Sequence, residues 1–240
     1  MIRSFQTLAL AALMGASAMV PAMADKERIQ QVLSQMAPGA PAADIQETVV
    51  PGLYQVVLGV TVFYMTADGK HVFNGNLINL EQGVNLTEQR LEQARLDALK
   101  AIDPNSMIIF KAKGETKRQV TVFTDIDCPF CKRFHNQVEK LNEAGIEVRY
   151  LAFPRSGPGT PSFAKMESVW CSANPVKAMD DAKNGLEPEA QRCENPVMSH
   201  FQAAQFFNVS GTPTMIIDDG QMVPGFVPAE ELIPALLQGN

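Results

Sequence analysis

Cysteine is scarce in this 240-residue chain and is confined to its second half, where the four residues lie between Cys128 and Cys193. The first half therefore has no thiol of its own, which indicates two domains of which only the second carries cysteine chemistry. Histidine is also scarce, with three residues. Because structural zinc sites draw on two closely spaced ligand pairs and only one such pair is present, we expect no metal.

The chain has no excess of basic charge. It contains 20 Lys and Arg against 26 Asp and Glu, a formal net charge of −6. A surface that binds nucleic acid needs clustered basic side chains, so nucleic acid is not expected as a partner. Internal repeats and low-complexity tracts are absent as well, whereas a hydrophobic content of 46% is sufficient for a core.

The apolar stretch from Leu8 to Val20 is too short and too interrupted for a comfortable membrane span. Arg3 precedes this stretch, and Ala22-Met23-Ala24 follows it as a site of the small-x-small type. This arrangement predicts an export signal over residues 1–24 that is cleaved after Ala24. An uncleaved anchor is the alternative.

The most specific feature is Cys128-Pro129-Phe130-Cys131, between a strand-like run at residues 120–124 and a helix-like run at residues 132–144. The free N–H groups at a helix N-terminus stabilise a thiolate. We therefore expect Cys128 to be the nucleophile, with the lower pKa and the more exposed sulfur. Cys131, one turn further on, is expected to be the resolving thiol.

The segment from residue 25 to residue 84 predicts one helix and a small meander. Its strand-like runs are 54–58, 60–65 and 71–73, with a hairpin turn at Asp68-Gly69. Roughly 60 residues of this kind bury a poor core and leave strand edges uncovered. We expect this domain to self-associate, and packing on its own C-terminal domain is the alternative.

A helix capped by Asn85 and Glu88 and stopped at Asp103-Pro104 follows. It is predicted to connect the domains rigidly, unless it belongs to the core of the second domain. From residue 104 onward the pattern is α/β, with strands at 107–110, 120–124, 148–153 and 214–218. The unit around the cysteine pair predicts parallel strands joined by a right-handed crossover.

Several segments resemble the periplasmic disulfide isomerases of the DsbC/DsbG family. Residues 123–131 resemble the active-site segment of that family, residues 148–155 its next strand, residues 209–214 its loop before a cis-proline, and residues 67–71 its N-terminal domain. The resemblance implies an α+β N-terminal dimerisation domain that is cystatin-like (25–84) and a linker helix (85–103). These precede an α/β thioredoxin-like catalytic domain with a helical insertion (104–240).

The same resemblance implies a periplasmic protein-disulfide isomerase or reductase without a cofactor, in which Thr212 and a cis Pro213 contact the substrate. Implied partners are misfolded or misoxidised exported proteins, a second copy of the chain, and a DsbD-like membrane reductase as electron donor. A reductase resembling DsbG, which protects single oxidised cysteines, and a chaperone-type binding protein are alternatives. An oxidase fits poorly because of the additional N-terminal domain.

Cys171 and Cys193 have no Cys-x-x-Cys context and are interpreted as a structural disulfide, with a second redox pair as the alternative. Closing a loop of this size is worth on the order of 3 kcal/mol in the chain-entropy model. His135, seven residues after Cys128, is expected to be a solvated side chain.

Overall fold

A computed structural model describes residues 24–238 of the chain. The predicted export signal therefore lies outside the described residues, except for Ala24. Within residues 24–238, none of the helices combines the length and the apolar character that crossing a membrane requires.

The N-terminal unit is a four-stranded antiparallel meander with one helix. Its elements are α1 (Asp25–Met36), β1 (Asp44–Glu47), β2 (Leu53–Leu58), β3 (Thr61–Thr66) and β4 (Val72–Phe73), in the sheet order β1-β2-β3-β4. Two short strands, β5 (Ile78–Asn79) and β6 (Val84–Asn85), form a separate ladder. The strand β1 escapes sequence analysis because its residues Asp-Ile-Gln-Glu are mostly polar and exposed at the sheet edge.

The helix α2 (Leu86–Lys100) begins where the capping pattern predicts. The side chain of Asn85 accepts a hydrogen bond of 3.1 Å from the Glu88 N–H. On its other side, Arg95 is buried and donates from Nη1 to the Gly220 carbonyl oxygen at 3.2 Å. The helix is therefore docked on the C-terminal unit along part of its length, in addition to linking the two units.

The C-terminal unit is a five-stranded sheet covered by six helices. Its strands are β7 (Ile108–Phe110), β8 (Arg118–Thr124), β9 (Ile146–Ala152), β10 (Thr214–Ile217) and β11 (Met222–Pro224), in the order β11-β10-β8-β9-β7. Its helices are α3 (Pro129–His135), α4 (Val138–Glu143), α5 (Pro161–Trp170), α6 (Pro175–Lys183), α7 (Val197–Phe206) and α8 (Ala229–Gln238). As predicted, β8 and β9 pair in parallel, and the other pairs are antiparallel.

The helix predicted after the cysteine pair is two helices. Between α3 and α4 the chain leaves helical geometry at Gln137, where φ is −109° and ψ is 3°. The Gln137 side chain donates to the Val227 carbonyl oxygen and accepts from the Ala229 N–H, both at 2.8 Å. These bonds tie the break to the start of α8, a tertiary contact that sequence periodicity does not contain.

The N-terminal sheet packs between α1 and the C-terminal unit. One face of the sheet, with Val56 and Met65, contacts Ile29 of α1. The other face contributes to a cluster shared by both units; its buried members include Val57, Val60, Val62, Phe123, Leu151 and Phe207. The packing of this sheet on its own C-terminal unit is the alternative that the sequence left open, and it occurs in this structure.

Candidate active site

Cys128 and Cys131 lie where β8 gives way to α3. Cys128 is the residue that precedes the first helical residue, Pro129, and Cys131 lies in the first turn. Both are free thiols. Cys128 is 2% exposed and Cys131 1% exposed, so both cysteines are buried and Cys128 is the more exposed by only a small margin. The reason is the loop before β10, since the Cys128 thiol donates to the Thr212 carbonyl oxygen at 3.3 Å.

The two thiols differ in acidity in the expected order. Burial acts to raise the pKa of Cys128, but the neighbouring Thr212 side chain and the backbone N–H groups of Cys131 and Phe130 outweigh it, so this pKa is lowered. Burial raises the pKa of Cys131. The site therefore holds one thiol that ionises readily beside one that stays protonated.

Thr212 and Pro213 face the cysteine pair. The peptide bond between them is cis, as the resemblance implied. Among the described residues, the buried Thr212 hydroxyl oxygen has no partner within hydrogen-bonding geometry. Its influence on both thiols follows from its position beside the two sulfurs. This hydroxyl is thus available to a sulfur that gains negative charge.

A buried carboxylate next to the dithiol was not singled out by sequence analysis. Asp125 follows β8 and is 2% exposed. It accepts hydrogen bonds from the Arg155 Nε at 2.8 Å, the Arg155 N–H at 3.1 Å, the Asp127 N–H at 3.0 Å and the Ser162 hydroxyl at 3.1 Å. Burial acts to raise its pKa, but these bonds prevail and the pKa is lowered. Asp125 therefore anchors the loop that carries Cys128 to the end of β9 and to α5.

His135 is buried, which contradicts the expectation of a solvated side chain. Its Nδ1 lies 3.1 Å from the Tyr150 hydroxyl and its Nε2 lies 3.0 Å from Asp180. Burial, together with the positive charge of Lys183, lowers the pKa of His135 to about 4. The ring is therefore neutral at physiological pH, and its contact with Asp180 is a hydrogen bond in place of an ion pair.

A groove of about 290 Å³ runs beside Cys128. One wall is the active-site loop, and the other is the stretch after α6, where Leu186 is largely exposed. Lys165 borders the groove and pairs with Asp127 and Glu187, both at 3.3 Å. The groove thus offers an apolar side chain and several charged groups within reach of the dithiol.

Cys171 and Cys193 are joined by a disulfide, with their Cα atoms 5.6 Å apart. The bond ties the end of α5 to the segment before α7. It thereby closes the loop that contains α6 and the outer wall of the groove. The pair lies away from Cys128 and Cys131 and takes no part in their contacts.

A thioredoxin-like unit that places a free dithiol at the start of its first helix defines a thiol:disulfide interchange protein. Comparisons with known proteins agree. Residues 105–240 match the family described as thioredoxin-like domain, and residues 20–88 match the disulfide bond isomerase protein N-terminal domain.

Relatives that align over most of this chain identify its family within that class of proteins. The chain is 38% identical to the thiol:disulfide interchange protein DsbC of Dickeya dadantii, over 90% of this chain and 88% of that one. It is 37% identical to the DsbC of Escherichia coli K12, over 88% and 87% of the two chains. A crystal structure of a disulfide interchange protein from Neisseria gonorrhoeae covers 57% of this chain and 100% of its own, at 29% identity and a TM-score of 0.51.

The chain belongs to the DsbC family. Its activity is thiol:disulfide interchange of the isomerase type, carried by the thioredoxin-like unit. The fold class expected from the sequence, a DsbC-type N-terminal domain followed by a thioredoxin-like domain with a helical insertion, is confirmed.

Proposed function

We propose that Cys128 is the sulfur that attacks substrate disulfides and that Cys131 is the resolving thiol. The observation that carries this assignment is the position of Cys128 directly before the first residue of α3, with Cys131 inside its first turn, and the lowered pKa of Cys128 beside the raised pKa of Cys131 agrees with it. The Cys128 thiolate attacks one substrate sulfur, a mixed disulfide forms, and the other substrate sulfur leaves as a thiolate.

Two exits from the mixed disulfide are open. If another substrate thiolate attacks the substrate sulfur, a new substrate disulfide forms, Cys128 is released and no net electrons move, which is isomerisation. If Cys131 attacks Cys128, the substrate leaves reduced and a Cys128–Cys131 disulfide remains. That second exit needs two electrons to reset the enzyme, and we propose a DsbD-like membrane reductase as their source.

We further propose that Thr212 and Pro213 hold the substrate. The Thr212 carbonyl oxygen lies 3.3 Å from the Cys128 sulfur, so an extended segment that pairs with this backbone brings its own sulfur to Cys128. The groove beside Cys128 can receive the flanking side chains. Misfolded or misoxidised exported proteins fit these requirements, since they present extended segments with wrongly paired cysteines.

We propose a homodimer in the periplasm. At the edge of the N-terminal sheet, Val72 and Phe73 of β4 are half-exposed, and Ile78 and Leu80 nearby are also exposed. An uncovered apolar sheet edge favours pairing with another chain. We also propose that the export signal is cleaved after Ala24. The proposed N-terminal domain ends at residue 84, and the proposed linker helix ends at residue 103. Sizing by light scattering should give a dimer, and Phe73→Asp should give a monomer.

Reactivation of a scrambled multi-disulfide protein tests the assignment. Cys128→Ser should abolish reactivation, whereas Cys131→Ser should keep part of it and accumulate mixed disulfides. The double variant Cys171→Ser/Cys193→Ser removes two sulfurs elsewhere and is the matched control, active wherever it is folded. Full activity of Cys128→Ser would refute the proposal. Protection of sulfenylated thiols without disulfide repair would identify the narrower reductase resembling DsbG.

A further inference from the structure

Lys183 is a buried lysine beneath the dithiol that the reaction described so far does not use. It is the last residue of α6 and is 1% exposed. Its Nζ donates to the Thr124 hydroxyl oxygen at 3.0 Å and to the Asp125 carbonyl oxygen at 2.7 Å. Lysine is almost never fully buried without a partner, so the position calls for an anion or a specific role.

Among the described residues, the hydrogen bonds of Lys183 do not include one to a carboxylate. Its hydrogen-bond acceptors are a hydroxyl and a backbone carbonyl, both uncharged. The Asp125 carboxylate is already held by Arg155 and Ser162. The remaining negative charge that this interior can develop is on sulfur, and Cys131 is the more deeply buried of the two thiols.

The Thr124 hydroxyl and the Asp125 backbone link the lysine to the surroundings of that sulfur. The Thr124 hydroxyl oxygen accepts from Lys183, which leaves its hydrogen free to be donated. The Asp125 residue whose carbonyl oxygen accepts from Lys183 donates its backbone N–H to the Cys131 sulfur at 3.5 Å, and Thr124 also acts to lower the pKa of Cys131. Lys183 and Thr124 therefore both stabilise negative charge on the Cys131 sulfur.

We propose that Lys183 supplies the counter-charge for Cys131 in the resolving step, so that the attacking state is a buried ion pair between the Cys131 thiolate and the Lys183 ammonium. Lys183 hydrogen-bonds to Thr124 and Asp125 and not to Cys128, and it is a positioning residue that acts through Cys131. The inference rests on the resolving role proposed for Cys131. It extends that role by naming the group that makes an inaccessible thiol reactive.

The step balances as follows. The proton of the Cys131 thiol passes to solvent, or to Lys183 where the amine is neutral, and either route gives the same ion pair. The Cys131 sulfur then attacks the Cys128 sulfur, the Cys128–Cys131 bond forms, and the bond from Cys128 to the substrate breaks. The substrate sulfur leaves with the electron pair and takes a proton from water. When the Cys128–Cys131 disulfide is later reduced at Cys128, Cys131 leaves as the same stabilised thiolate.

The electrostatic surroundings agree with this geometry. Burial acts to lower the pKa of Lys183, and the negative groups that face it oppose that effect. Burial raises the pKa of Cys131, and Lys183 is the largest influence against it. The titratable and charged groups around the pair are Asp125, Asp127, Cys128, His135, Tyr150, Arg155 and Asp180.

Reaction of the reduced protein with dithiobis(nitrobenzoate) separates the two thiols in time. Attack by Cys128 releases the first thionitrobenzoate, and attack by Cys131 on the resulting mixed disulfide releases the second. We expect Lys183→Met to slow the second phase on the order of tenfold and to shift its pH profile upward, because an opposite charge nearby favours the thiolate. The first phase should change less than about twofold, since Thr212 and the backbone of α3 stabilise Cys128.

Two further variants make the result specific. Lys183→Gln keeps hydrogen-bonding capacity without the charge, and it should slow the second phase as Met does. Lys177→Met is the matched control, because Lys177 is on the same helix but exposed and paired with Asp181, and it should change neither phase. Methionine has a similar length without the charge, and the hydrogen bonds that it removes are to two neutral acceptors.

The outcomes are distinct. A second phase that survives Cys131→Ser overturns the role of Cys131 and the proposal on Lys183 with it. A second phase that is lost in Cys131→Ser but unchanged in Lys183→Met overturns the proposal on Lys183 alone. Equal slowing of both phases in Lys183→Met also overturns it, because it would show that the lysine only maintains the shape of the site.

Discussion

The docking of α2 on the catalytic unit makes a sharp prediction at Gly220. This glycine has φ +92°, and a Cβ built on it would overlap the Glu92 carbonyl oxygen of α2 and lie 2.8 Å from the Glu92 Cα. Both obstructing atoms are backbone and have no rotamer to change. We therefore expect Gly220→Ala to displace α2 from the hairpin between β10 and β11.

The magnitude follows from two contributions. An alanine in left-handed backbone geometry costs about 1–2 kcal/mol. Displacement of α2 also breaks the bond from Arg95 Nη1 to the Gly220 carbonyl oxygen, and a bond to a charged donor is worth about 1.5–3 kcal/mol. We expect Gly220→Ala to lower the free energy of unfolding by about 2.5–5 kcal/mol in urea titrations.

Gly114→Ala is the matched control. Gly114 has φ +88° but no atom within 4 Å of a built Cβ, so it carries the backbone cost without the collision. The difference between the two variants isolates the docking of α2. A difference below about 0.5 kcal/mol would refute the reasoning, since exposed changes usually stay in that range. A double variant with Arg95→Ala should be markedly non-additive, because both changes act on one contact.

Three further predictions concern stability. Replacing Cys171 and Cys193 by alanine should lower the free energy of unfolding by on the order of 3 kcal/mol while the first thiol-exchange phase is retained. His135, with a folded pKa of about 4, contributes stability above its unfolded pKa of about 6.5 that is lost as pH falls to about 4, so His135→Phe should flatten this part of the stability profile. Asp125 has a lowered folded pKa, so its contribution is complete above about pH 4 and is lost below; Asp125→Asn should remove that acid-dependent loss, as followed by urea titrations at each pH.

Local patterns predicted the elements that carry the chemistry. Cys128 and Cys131 stand between a strand and a helix start, and the parallel pairing of β8 with β9 follows from that unit. The cap at Asn85 and the turn at Asp68-Gly69 are likewise signals of a few neighbouring residues. The disulfide between Cys171 and Cys193 was expected because neither has a Cys-x-x-Cys context.

The remaining parts of the site depend on contacts between distant residues. Lys183 is 59 positions from Thr124, and its sequence context is that of a surface helix near a polar stretch. His135 was expected to be solvated. Its burial comes from α6 and from Tyr150 on β9, which are distant from it in the sequence. The small difference in exposure between Cys128 and Cys131 also follows from a distant loop, the one that carries Thr212. None of these contacts has a periodicity or spacing that a single sequence displays.

The depth of Cys128 also determines when the enzyme stops acting. The residue is 2% exposed, so the attack proposed for Cys128 requires a disulfide that is delivered on an extended stretch of chain. A disulfide inside a well-packed protein becomes deliverable only when that region opens, and the free energy of opening rises as the protein approaches its native state. Correct disulfides are therefore protected, because the folded region around them rarely opens. Wrong disulfides in loosely folded chains stay accessible and are attacked again until they have been replaced. The enzyme therefore does not have to recognise which disulfide is native.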